Sequence, residues 1–180
     1  MTTALLVIDV QQGLCEGEYA AFEAAQVIGR INQVSAKVRA AGGIVVFIQH
    51  ESKSGPLEVG ADTWQLAHGL QIAEADIRVR KTTPDSFHHT DLEQVLRGHA
   101  VSEVVACGLH TEFCVDTTTR RALALGFPVI LVGDGHTSMG NRHLSAPQVI
   151  QHHNETLSNI RSFGPRVRIV SAQDLSVTAV

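Results

Sequence analysis

Six short, branched apolar runs punctuate the chain, and most of them give way to polar residues. Residues 4–8 close on Asp9, 44–48 on Gln49 and His50, and the weaker run 77–79 on Arg80 and Lys81. Residues 101–107 lead into Gly108, 128–132 close on Gly133 and Asp134, and 167–170 form the sixth run. These runs barely alternate, as expected of parallel strands covered on both faces. Between the first two, Ala24, Val27, Ile31, Val34 and Val38 recur at spacings of three and four. They make one apolar stripe, which predicts a helix over 20–41 stopped by Gly42-Gly43. Thr90-Asp91-Leu92-Glu93 and Ser145-Ala146-Pro147-Gln148 fit the capping-box pattern. The first predicts a helix to Arg97; the second opens a helix that keeps its spacing through Val149, His153, Leu157 and Ile160. A further helix is predicted over 114–125, with Gly126 ending it.

Strand–helix alternation with short connections is an α/β pattern. Right-handed crossovers make it a three-layer α/β/α, Rossmann-like fold: an open, mostly parallel six-stranded sheet with helices on both faces. A barrel would need eight units, too many for 180 residues. Open sheets bind ligands outside the carboxyl ends of their strands, where the strand order reverses. Asp9, Gln49, His50, Lys81, the stretch 108–111 and Asp134 therefore form one candidate rim. Residues 51–75 hold Ser52, Ser54, Gly55, Pro56, Gly60 and the only tryptophan, Trp64, without a strong period. A stretch this long reads as a functional loop.

Composition narrows the classes. With 44% hydrophobic and 18% charged residues the chain is not disordered, and one domain over 1–180 is expected. The net charge of −4 argues against a dedicated nucleic-acid partner. No apolar run approaches the roughly 20 residues that span a bilayer. The opening MTTALLVIDVQQ lacks the basic residues and cleavage pattern of a leader, so we expect a cytoplasmic protein with no membrane partner. Cysteines at 15, 107 and 114 form neither a disulfide framework nor a CxxC zinc site. The loop after Asp9 offers only Gly13 and Gly17, with no GxGxxG and no GxxxxGK[ST], so no NAD, flavin or ATP is expected, and no other cofactor.

Three residues carry candidate chemistry. Cys114 follows Gly108-Leu109-His110-Thr111-Glu112-Phe113, directly after a buried strand. Thr111 is placed to cap the helix whose first turn holds the thiol, and a helix start lowers a thiol pKa. Asp9, at the end of the strand predicted to be central, is either a partly buried general base or a loop cap. Lys81 ends the third run and is either a compact cation holding that carboxylate or a solvated strand end. His110 or His136 serving as base to the cysteine is the weaker arrangement.

Ala4-Leu5-Leu6-Val7-Ile8-Asp9-Val10-Gln11, Lys81-Thr82-Thr83-Pro84-Asp85-Ser86-Phe87 and Gly108-Leu109-His110-Thr111-Glu112-Phe113-Cys114-Val115 stand in order along the chain. Thr118, Arg121, Ala122 and Gly126 follow the third segment, and Asp134-Gly135-His136-Thr137-Ser138 lies beyond it. Together these segments resemble the isochorismatase-like cysteine hydrolases across nearly the whole chain. The resemblance implies that family's fold and an Asp–Lys–Cys triad carried onto Asp9, Lys81 and Cys114. It further implies a cis peptide at Leu109–His110 and an oxyanion hole made by the backbone N–H groups of His110 and Cys114. A homo-oligomer, dimer or tetramer, with subunits closing the pocket, is also implied. The expected reaction is hydrolysis of a small amide or carbamoyl C–N bond through a thioester. The alternatives are isochorismatase-type vinyl ether hydrolysis and a non-catalytic small-ligand-binding or scaffold protein of the same fold.

No metal is expected. Where the nicotinamidase branch has an Asp-x-His pair, this chain reads Gln49-His50-Glu51-Ser52-Lys53, and His68 is the next histidine. Gln12, Trp64, Phe87, His110, Phe113 and His136 are the candidates for lining a small-molecule substrate pocket. Cys15 is assigned to packing, and His99 and His143 to the surface.

Overall fold

The structure is a computed structural model and describes residues 2–178. Its strands are β1 (Thr2–Ile8), β2 (Ile44–His50), β3 (Ile77–Lys81), β4 (Val101–Leu109), β5 (Val129–Thr137) and β6 (Val167–Val170). They form one sheet in the order β3-β2-β1-β4-β5-β6, and every neighbouring pair is parallel. The order reverses between β1 and β4, so the crevice of this doubly wound sheet lies at their carboxyl ends. Residues 4–8 of β1 are fully buried, which is why an unbroken apolar run encodes that strand. The edge strand β3 does alternate: Val79 and Lys81 are buried while Arg78 and Arg80 are exposed. Its two arginines make the apolar run look weak. The same alternation puts Lys81 on the inner face.

Helix α1 (Gln12–Cys15) is a single turn after β1. The long helix α2 (Ala24–Ala40) covers one face, packing Val27, Ile31, Val34 and Val38 with Leu5, Val7, Phe47 and Val105. Helices α3 (Leu92–Gly98), α4 (Asp116–Ala124) and α5 (Ala146–Ser158) cover the other. There Leu92, Leu96, Leu123 and Leu157 meet Leu6, Ile8, Val46 and Val104. Cys15 is buried in the first of these cores, as a packing residue. No helix among the described residues is long and apolar enough to cross a membrane.

Four local expectations need correction. The capping box at Ser145 forms, with Gln148 Oε1 accepting from the Ser145 amide at 2.9 Å. The one at Thr90 does not. Asp91 precedes α3, the Thr90 hydroxyl donates to Ser86 O, and Glu93 pairs forward with Arg97. The helix predicted over 114–125 has two parts, a wide π turn at Thr111–Val115 and then α4. Thr111 does not cap it, because its hydroxyl bonds His136 Nδ1 at 2.8 Å. Finally, β5 does not stop at Gly133. Ala106 pairs with Leu131 but Gly108 with His136, so residues 132–135 form a bulge. Glycine is needed there, since a Cβ on Gly135 would lie 2.6 Å from Val132 Cγ1. Asp134 leaves the rim as a result; its Oδ1 accepts from the Ala172 amide at 2.7 Å, and its backbone carbonyl accepts from Arg30.

Candidate active site

Close backbone approach builds the site. Gly108 has φ +123°, and a Cβ there would collide with the backbone of Ile8. No side chain fits, so the ends of β1 and β4 can close together. Asp9 itself adopts a left-handed conformation, φ +53°, which aspartate tolerates better than most residues. Its amide donates to Ile48 O at 2.9 Å, fixing the carboxylate relative to β2. The peptide joining Leu109 to His110 is cis, and the π turn that follows carries Cys114.

The structure brings Asp9, Lys81 and Cys114 together around the lysine ammonium. Lys81 Nζ donates to Asp9 Oδ2 at 2.7 Å and to Cys114 Sγ at 3.3 Å. It also reaches Thr83 O and His50 Nδ1, each at 3.1 Å. Three N–H groups thus serve four acceptors, so the sulfur, at the longest distance, competes for its donor. Asp9 and Lys81 are almost wholly shielded from solvent. Asp9 Oδ1 is buried and has no hydrogen-bond partner among the described residues.

Thr118 ties the lysine segment to the cysteine helix, accepting from the Ser86 amide and bonding Ser86 Oγ at 2.7 Å. Arg121 of the same helix lies 3.8 Å from Asp85. Residues 111–124 are thereby locked to residues 84–86, which sets the Lys81–Cys114 distance.

The electrostatics reverse one sequence-based expectation. The Cys114 thiol is pushed up to about 12, first by burial and then by the Asp9 charge, with Lys81 only partly opposing. A helix start alone does not make this cysteine a resting thiolate. Burial also lowers the His50 and His110 pKa values; Lys81 adds to the effect at His50.

Sequence reasoning placed His50 on the candidate rim without assigning its chemistry, and quoted Gln11 only as part of the opening segment. Gln11 is fully buried, and its side-chain amide grips residue 50 by donating to His50 O at 3.0 Å and accepting from the His50 amide at 2.9 Å. The same Nε2 donates to Trp64 O at 2.8 Å, and Gln49 Nε2 reaches that carbonyl at 3.2 Å. Loop 51–75 is anchored over the strand ends in this way. The available signal was the polar closure of β2 at Gln49-His50; nothing local in the sequence marks Gln11 as its clamp.

The pocket candidates separate. His110 is half-buried, with Nε2 unpartnered among the described residues. Phe113 is 57% exposed. Gln12 turns its amide toward Leu66 O and His68, and the Trp64 ring lies under the Arg80 guanidinium at 5.2 Å. Phe87 and His136 are engaged with other partners. Phe87 is buried against Phe127, ring centroids 6.5 Å apart. His136 is buried between Thr111 Oγ1 and Asn154 Oδ1. A cavity of about 460 Å³ opens beside the cluster, lined by His50, Glu51, Ser52, Lys53, Val59 and Thr82. A second, of about 260 Å³, lies between α2 and α5 and shares no residue with the Lys81 cluster.

Asp9, His50 and Cys114 each offer a metal-ligand atom within 4.8 Å of the other two. The Lys81 ammonium bonds all three. The position a divalent ion would take is thus already held by a positive charge.

Comparison with known proteins agrees with this arrangement. The Isochorismatase domain matches residues 3–163. The chain is 37% identical over 136 residues to a streptothricin hydrolase of Streptomyces noursei, a match covering 75% of this chain and 49% of that protein. It therefore spans about half the length of that relative. It is 27% identical over 199 residues to the ureidoacrylate amidohydrolase RutB of Caulobacter vibrioides, covering 90% of this chain and 85% of that one. A crystal structure of an isochorismatase family protein superimposes with a TM-score of 0.84 at 35% identity, covering 94% of this chain and 98% of the other. The chain belongs to the isochorismatase-like hydrolase family and has that family's three-layer fold. Asp9 and Cys114 are buried and His50 is half-buried, and one lysine ammonium bonds all three.

Proposed function

We propose that the protein is a cysteine hydrolase that cleaves a small amide or carbamoyl C–N bond with Asp9, Lys81 and Cys114. One observation carries the reading: a single buried ammonium bonds both the carboxylate and the sulfur. Ionising a thiol of pKa about 12 into neutral solvent costs about 7 kcal/mol. Passing its proton to the unpartnered Oδ1 of Asp9 leaves the net charge of the trio unchanged and keeps Lys81 beside the negative sulfur. The thiolate attacks the carbonyl carbon, and the backbone amides of His110 and Cys114 hold the oxyanion. The C–N bond breaks as Asp9 returns the proton to the leaving nitrogen. Water, deprotonated by Asp9, then hydrolyses the thioester and restores the thiol. One relative is a streptothricin hydrolase and another an amidohydrolase; the first supports hydrolysis and the second C–N chemistry.

One observation favours a second reading, vinyl ether hydrolysis: a thiol this strongly protonated suits a reaction run by Asp9 and Lys81 without a thiolate. A screen of small amides and carbamoyl compounds, with mass spectrometry of the intact protein, decides. We expect turnover, an acyl adduct on Cys114, and loss of both in a folded Cys114→Ala variant. Full activity in that variant, or after alkylation of Cys114, removes the covalent step and leaves the second reading. The cytoplasmic location and homo-oligomeric state remain parts of this proposal, checked by fractionation and by light scattering.

A further inference from the structure

The two nitrogens of His50 face different surroundings. Nδ1 lies 3.1 Å from Lys81 Nζ, and an ammonium can only donate, so Nδ1 is the acceptor and the ring hydrogen sits on Nε2. Nε2 makes no hydrogen bond among the described residues, yet it is not among their buried unpartnered atoms. It is therefore the ring's accessible edge, and His50 lines the 460 Å³ cavity. The other polar groups of that cavity are unequal. Glu51 is taken by Arg80, and the Ser52 hydroxyl donates to Ser54 O. Lys53, by contrast, forms no ion pair among the described residues. An N–H donor and a free ammonium face one space, and the only carboxylate there is already neutralised.

Resting on the hydrolase reading above, we infer that the substrate carries a carboxylate which docks between His50 Nε2–H and the Lys53 ammonium. The cavity size suits a small organic acid. His50 then joins two parts of the site: one edge accepts from the ammonium that holds Cys114, and the other donates to the substrate. A ring nitrogen of His50 lies within 4.8 Å of the Cys114 sulfur, so a ligand held at that ring sits next to the Cys114 side chain. His50 and Lys53 become specificity residues, favouring anionic amides over neutral ones.

Succinate and succinamide, alike in length and different in charge, test this without a known substrate. Ligand is titrated into protein carrying ¹⁵N-labelled histidine, at constant ionic strength. We expect the Nε2–H tautomer at His50, a saturable shift of His50 Nε2 with succinate and none with succinamide. Lys53→Gln, at an exposed position, should weaken succinate about tenfold, the loss of one charge-assisted contact. An Nδ1–H tautomer, equal responses to both ligands, no response to succinate, or full succinate affinity in Lys53→Gln would each overturn the inference. Alkylation of Cys114 by iodoacetamide, followed by mass spectrometry, reads the hydrolase proposal separately. A sulfur that never reacts removes the nucleophile and leaves the succinate result standing.

Discussion

His50 closes β2 and His136 lies near the end of β5, on either side of the central pair β1 and β4. The two rings carry the same tautomer. In His136, Nδ1 accepts from the Thr111 hydroxyl at 2.8 Å, Nε2–H donates to Asn154 Oδ1 at 2.9 Å, and Asn154 Nδ2 passes on to Gly133 O at 3.0 Å. Every polar atom of that chain is used, all of it is neutral, and burial pushes the His136 pKa down to about 4. Around His50 the partners are charged, Lys81 has more acceptors than hydrogens, and Asp9 Oδ1 has no partner. A closed network holds backbone in place and has nothing left to give a ligand. An open one keeps a proton acceptor and a donor available, at a cost in stability that the sheet must offset. The contrast assigns structure to one side of β4 and chemistry to the other.

The largest effect that can break this contrast comes from Asp9→Asn, which is nearly isosteric. It removes the proton acceptor, so hydrolysis should fall by about 10²–10⁴-fold. It also leaves Lys81 buried without its counterion, which should cost about 3–5 kcal/mol of stability. Combining it with Lys81→Met removes the stranded charge. The double variant should regain most of that stability in urea unfolding and none of the activity. Wild-type turnover by Asp9→Asn would show that the carboxylate only balances charge.

A smaller effect sharpens the other side. His136 is neutral in the fold with a pKa of about 4, against 6.5 for an unperturbed imidazole. The unfolded chain therefore binds the extra proton between these values. The contribution of this residue to stability is complete above pH 6.5 and is lost as pH falls from there toward 4, amounting to roughly 3 kcal/mol. Urea unfolding between pH 7 and pH 4 should show this slope, and His136→Gln should flatten it while lowering stability at pH 7. An unchanged slope would place the acid sensitivity elsewhere.

Much of this was legible in the sequence, for physical reasons that also mark where legibility ends. β1, β2 and β4 are buried on both faces, so their apolar runs stand out, and strand ends in an open sheet must converge on one crevice. Asp9 and the segment before Cys114 are placed by that rule. The burial of Lys81 was hidden, because Arg78 and Arg80 give β3 the look of a solvated edge while alternation turns the lysine inward. The acidity of Cys114 was misjudged because a helix start is a local feature, whereas burial and the Asp9 charge arise only when distant segments meet. Gln11 clamps residues 39 and 53 positions away, contacts that leave no local trace. At β5 the glycines 133 and 135 look like a stop, yet they permit a bulge that carries the strand on to His136.

The smallest predicted effect bears most directly on the boundary between the two networks. Thr111 opens the turn that carries Cys114, yet its hydroxyl points to His136. Thr111→Val keeps the shape and removes the donor, leaving a buried ring nitrogen unpaired, a loss of about 1–3 kcal/mol. For a chain of this size that lowers the melting temperature by about 2–4 °C per kcal/mol. If the His136 network is purely structural, kcat/KM should stay within about twofold of wild type, well short of the tenfold per 1.4 kcal/mol that a lost transition-state contact produces. Pairing the change with His136→Gln tests the link, since residues sharing one hydrogen bond lose it once, and the double variant should fall short of the sum. A collapse of kcat/KM with the melting temperature unmoved would mean that Thr111 sets the geometry of the Cys114 turn and that the two networks are one.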